Sequence, residues 1–120
     1  MAVFQVGFLA ERKRTMTTRT IARGLKLTSG LRTAMQTMMA GAFDRFADRL
    51  ASVTAVVEDV NGPRGGEDKR VRLELRGSRR QFVHVEGQGA EILPTLGKVL
   101  DRAGYALARL VDRRKTLRHG

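Results

Sequence analysis

The chain has 120 residues, 42% of them apolar, which suffices for one packed domain with a single core. It has no Cys, which excludes disulfides, zinc-thiolate sites and Cys nucleophiles, and no apolar run approaches the roughly 20 residues that span a bilayer. Lys and Arg total 23 against 12 acids, a formal net charge of +11 that favours a polyanionic partner over a membrane or a small-molecule substrate.

Residues 1–16 show no clean period. Their basic cluster Arg12-Lys13-Arg14 follows an apolar opening, the reverse of a secretory signal. A disordered leader is expected there, with one domain over residues 17–118 of a cytoplasmic protein. Residues 17–23, rich in Thr around Ile21, read as a strand that Gly24 ends, and Thr28 or Ser29 supplies a helix cap. Leu31, Met35, Met38, Met39, Ala42, Phe43, Phe46 and Leu50 recur at helical spacing, predicting a helix of about 20 residues ending near Leu50, with the methionines as core filler.

Val53, Thr54, Val56 and Val57 mark a second strand over residues 52–58, and the Gly-, Asn- and Pro-containing run 59–68 a long turn. Residues 68–76 alternate, with Val71, Leu73 and Leu75 on one side and Arg70, Arg72, Glu74 and Arg76 on the other. After a connection at Gly77-Ser78, residues 81–86 form a fourth strand that Gly87 to Gly89 is expected to end. A second helix is predicted over residues 91–117 from Ile92, Leu96, Val99, Leu100, Ala103, Leu107, Leu110 and Val111. Pro94 is tolerated in its first turn, and Gly97 and Gly104 are expected to mark close packing against the sheet. The order β-α-β-β-β-α predicts an α+β fold, with two helices on one face of a four-stranded, mostly antiparallel sheet.

At about 100° per residue, Lys98, Arg102, Arg109 and Arg113 fall within about 60° of one another on the second helix, away from its apolar stripe. This basic ridge, extended by Arg114, is the leading candidate for phosphate contacts, because the planar guanidinium fork donates two parallel bonds. Arg76, Arg79 and Arg80 cluster at the third-to-fourth strand turn. Arg19, Arg23 and Lys26 surround the end of the first strand, and Arg70 and Arg72 line the solvent side of the sheet. Stacking platforms are scarce: Phe82 reads as packing and Tyr105 as a residue on the helix flank, which favours recognition of RNA shape and backbone over unstacked bases. His84 and His119 belong to no triad or metal motif, and Glu58, Asp59, Glu67 and Asp68 match no calcium-loop spacing. No enzyme, cofactor or metal is therefore expected.

The stretch Asp59-Val60-Asn61-Gly62-Pro63-Arg64-Gly65-Gly66-Glu67-Asp68-Lys69-Arg70 resembles the signature loop of ribosome hibernation-promoting factors, also called ribosome-associated inhibitors, in their short single-domain form. The opening strand with Gly24 to Thr28, and the basic stretch from Leu100 to Arg109, resemble the family as well, so the likeness spans about residues 17–118. It implies a fold similar to double-stranded-RNA-binding domains. It also implies docking on the small ribosomal subunit and its ribosomal RNA, in the path of messenger and transfer RNA, under stress, alongside other hibernation factors. By position, Lys26, Lys69, Arg70, Lys98, Arg102, Arg109 and Arg113 would contact RNA. Gly62, Pro63, Gly65 and Gly66 would fix the loop, and Asp59, Asn61 and Asp68 would organise it. The chain departs from the family in Val71, where Cys is frequent, and in the opening of the last helix, Glu91 to Gly97. The alternative is a general double-stranded-RNA-binding or regulatory module; a third reading is a protein-interaction domain whose charge serves solubility.

Overall fold

The computed structural model describes residues 16–60, 69–77 and 82–119, with side chains up to residue 110. The elements in chain order are β1 (Thr17–Arg23), α1 (Ser29–Ala42), a 3₁₀ turn (Asp44–Phe46), β2 (Leu50–Asp59), β3 (Lys69–Gly77), β4 (Phe82–Gly89) and α2 (Ile92–His119). They form one sheet of order β1-β2-β3-β4, in which β1 runs parallel to β2 and the other two pairings are antiparallel. The α+β architecture and its β-α-β-β-β-α order follow the expectation. The one parallel pairing requires a crossover, and α1 supplies it.

Local chemistry sets the joints. Gly24 has φ 77°, a left-handed conformation that lets the chain turn off β1. Thr28 caps α1 by accepting from the Leu31 amide at 3.1 Å. The alternation in each strand then sorts its side chains. Val53, Ala55 and Val57 of β2, Val71, Leu73 and Leu75 of β3, and Val83 of β4 enter one core. Met35 and Met39 of α1 and Leu96, Val99, Leu100, Ala103 and Leu107 of α2 cover that face. Both helices therefore lie on the same side, and the opposite side of the sheet carries no helix among the described residues.

Three expectations are corrected. The first helix ends at Ala42, not near Leu50: Gly41 weakens the last turn, the chain tightens into a 3₁₀ turn, and Leu50 opens β2. The apolar spacing misled because Phe43, Phe46 and Leu50 remain in the core, at 0%, 6% and 1% exposure, without being helical. Gly87 and Gly89 do not end β4 but pair with Val71 and Lys69. Their missing side chains admit α2: a Cβ at Gly87 would lie 2.9 Å from Val99 Cγ2, and one at Gly89 would overlap Thr95 Oγ1. The helix glycines are not the sheet contacts expected of them. A Cβ at Gly97 would make only ordinary contact with Met38 of α1, and one at Gly104 would meet open space.

Candidate nucleic-acid interface

The helix α2 begins next to the end of β4, and its inward side is fixed by Leu96, Val99, Leu100, Ala103 and Leu107. The positions on the opposite side of the helix face outward. Lys98, Arg102 and Arg109 are all exposed, as the ridge requires. No ion pair to any of the three occurs among the described residues. Asp101 is exposed on the same side and marks one flank of the ridge. Arg113 and Arg114 lie within α2, but their side chains fall outside the described residues.

Arg102 has a second role that periodicity did not reveal. Its Nη2 donates to the Glu86 carbonyl at 2.6 Å, so the guanidinium crosses Gly87 and is held against the edge strand β4. Anchoring a guanidinium to a neutral carbonyl leaves its charge intact while restricting its rotamers. Arg32, which sequence reasoning missed, does the same at the other edge, its Nη1 donating to the Thr20 carbonyl of β1 at 2.8 Å.

A second group of predicted residues gathers at one end of the sheet. Arg23 stands opposite Glu58, which stands opposite Arg70, while Asp59 pairs with Lys69. The turn at Gly24 packs beside Asp59, bringing exposed Lys26 towards the same end. Lys98, two turns into α2, starts from that end as well, because Lys69 pairs with Gly89 just before the helix. The strand register and the Gly24 turn thus place Arg23, Lys26, Lys69 and Arg70 at one end of the sheet, with Lys98 on the outward side of the covering helix. Arg76 pairs with Phe82 at the opposite end of the sheet, and Arg79 and Arg80 lie outside the described residues. Of the signature stretch, Asp59, Val60, Lys69 and Arg70 are described, whereas Asn61, Gly62, Pro63, Gly65, Gly66 and Asp68 lie outside the described residues.

The cations on the open side of the sheet are weaker candidates. Arg19, Arg23, Arg70, Arg72 and Arg76 are interleaved there with Glu58, Glu74 and Glu86. Glu58 Oε1 lies 3.4 Å from Arg70 Nε and 3.9 Å from Arg72 Nε, and both nitrogens are buried without a hydrogen bond. Their attraction to Glu58 is therefore charge without directional bonding, and Glu58 offsets part of the charge that Arg70 and Arg72 would offer a phosphate. Sequence spacing could have found this neutralisation only with the strand register in hand. His84 Nε2 sits 3.3 Å from Glu86 Oε1 with both side chains exposed, and among the described residues no group of three or more ligand-type side chains could hold a metal. No helix among the described residues is long and apolar enough to cross a membrane.

No protein-family model and no curated protein matches the sequence. Solved structures do match the fold. The chain is similar to the N-terminal domain of Protein Y from Thermus thermophilus, with 20% identity and a TM-score of 0.62 over 77% of this chain and 94% of that one. It is also similar to a ribosomal subunit interface protein from Coxiella burnetii, with 9% identity and a TM-score of 0.62 over 82% of this chain and 98% of that one. At these identities the likeness shows a shared fold and leaves the function to be argued from the residues.

Proposed function

We propose that the chain is a ribosome-associated, non-catalytic RNA-binding protein. It docks on the RNA of the small subunit, blocks the path of messenger and transfer RNA, and so silences the ribosome under stress in the cytoplasm. The observation that carries this reading is the outward side of α2, where exposed Lys98, Arg102 and Arg109 stand without a carboxylate partner among the described residues. A rigid helix bearing unpaired cations suits a folded polyanion, since each neutralised phosphate releases counterions. Exposed Lys26 extends the cationic surface at the sheet end, where Arg23, Lys69 and Arg70 are the weaker contacts because Glu58 and Asp59 stand opposite them. Arg79, Arg80, Arg113 and Arg114 are proposed to add contacts, and the loop from Asp59 to Asp68 to shape the turn that holds Lys69. The shared fold with a ribosomal subunit interface protein, together with the signature-loop resemblance, supports the ribosome as partner.

Competition tests the reading. The full chain is sedimented with purified small subunits in the presence of excess free duplex RNA. The expected result is retention on the subunits, with excess messenger and transfer RNA displacing it instead. Displacement by duplex RNA alone would favour the general double-stranded-RNA-binding module. No binding to subunits under low salt would remove the proposal.

A further inference from the structure

The outward side of α2 holds one residue that charge does not explain. Tyr105 is 71% exposed, more than Phe82 at 50% or Ile21 at 38%, the other large apolar side chains that are exposed among the described residues. At about 100° per residue, Lys98, Arg109 and Arg102 occupy an arc of about 40°, and Tyr105 lies about 20° beyond Lys98 on the same side. Arg102 precedes it by three positions and Arg109 follows it by four, the spacings at which helical side chains are neighbours, about 5–6 Å between Cβ atoms. The aromatic ring therefore stands within the ridge rather than apart from it. Asp101, four positions before Tyr105, borders it on the side away from Arg102.

We propose that Tyr105 is a stacking platform for one unpaired base of the bound RNA; the inference rests on the RNA-binding reading above and adds what part of the RNA is read. The cations Arg102 and Arg109 hold the phosphates next to an extruded nucleotide. The Asp101 carboxylate repels phosphate from the other flank. The backbone thus passes on the arginine side and the base lies over the ring. Stacking on an aromatic face tolerates any base but demands one free of its helix, because a base inside a duplex already has both faces covered. Arg102 is suited to this arrangement because its bond to the Glu86 carbonyl restricts its guanidinium to the β4 side of the ridge, away from the ring, before RNA arrives. The surface would then distinguish a bulged or single-stranded nucleotide from uniform duplex, a selectivity that phosphate contacts alone do not give.

The chain contains one Tyr and no Trp, so its intrinsic emission reports on Tyr105 alone. The full chain is titrated with a fluorophore-labelled hairpin carrying one bulged adenine, and with the same hairpin without the bulge, occupancy being followed by anisotropy. Tyrosine emission is expected to be quenched by the bulged hairpin and little changed by the paired one at equal occupancy. Tyr105→Ala should weaken binding of the bulged hairpin roughly five- to hundred-fold and leave the paired one unchanged, while Tyr105→Phe should bind both as the parent does. Equal quenching by both RNAs, Tyr105→Ala binding the bulged hairpin like the parent, or no binding of the bulged hairpin at all would each overturn the assignment. A separate double variant, Lys98→Glu with Arg109→Glu, keeps the two readings apart. If it binds both hairpins as the parent does, the RNA-binding reading fails; if it loses both while Tyr105→Ala changes neither, only the stacking role fails.

Discussion

Gly87 and Gly104 belong to facing elements, yet their replacement by Ala is expected to act in opposite directions. A Cβ at Gly87 would lie 2.8 Å from Arg102 Nη2 and 2.9 Å from Val99 Cγ2. Arg102 can swing aside, but Val99 is β-branched and held by its helix, so overpacking should cost about 1–3 kcal/mol. At Gly104 the added methyl meets nothing within 4 Å, and the substitution should stabilise the helix by about 1 kcal/mol. Urea unfolding of the two single variants checks this: Gly87→Ala should lower the midpoint and Gly104→Ala raise it, with unchanged slopes. The pair also shows why glycine function is hard to read from sequence. Each glycine interrupts an otherwise regular pattern, and only the distance to the packed neighbour separates a glycine that is required from one that is merely tolerated.

At the scale of elements, both edge strands give a backbone carbonyl to an arginine, Thr20 to Arg32 and Glu86 to Arg102. An edge strand with free backbone groups invites pairing with another chain, and a guanidinium placed against it blunts that tendency. The two arginines should nevertheless separate by function. Arg32→Met is expected to lose about 1–2 kcal/mol of stability, because a charge-assisted bond in a partly buried site is removed, with RNA affinity unchanged. Arg102→Met should lose RNA affinity as well, since it also takes a cation from the ridge. Thermal unfolding and RNA titration of the two variants give the comparison, and equal RNA affinities for both would contradict the distinction. The strand pattern, the order of elements and the ridge of Lys98, Arg102 and Arg109 were legible because each depends only on a local period. What was not legible depends on register or packing: the end of α1 at Ala42, the neutralisation of Arg70 and Arg72 by Glu58, and the bond of Arg102 to β4. Tyr105 lay between. Its angular position opposite the apolar stripe was readable, but its 71% exposure required the fold, because only packing shows whether another element covers an outward helix residue.

Over the whole molecule, a net charge of +11 exceeds what the α2 ridge alone contributes. Much of the open sheet's positive charge stands beside glutamates, whereas Lys98, Arg102 and Arg109 of α2 and Lys26 near the sheet end are exposed. Long-range attraction should therefore come from the entire chain, while tight binding comes from one side of it. Charge reversal at Arg19 on the open sheet is accordingly expected to change small-subunit affinity by no more than about three-fold, through the general field alone. The same reversal at Arg109 should weaken it by about ten-fold or more. Co-sedimentation at fixed salt ranks the two variants. The most direct test of the central claim is the salt dependence of small-subunit binding for the parent chain and for Lys98→Glu with Arg109→Glu. The parent should show a steep linear fall of log affinity with log salt, and the double variant a slope shallower by about one to two. Parallel slopes with equal affinities would mean that the α2 ridge does not meet RNA.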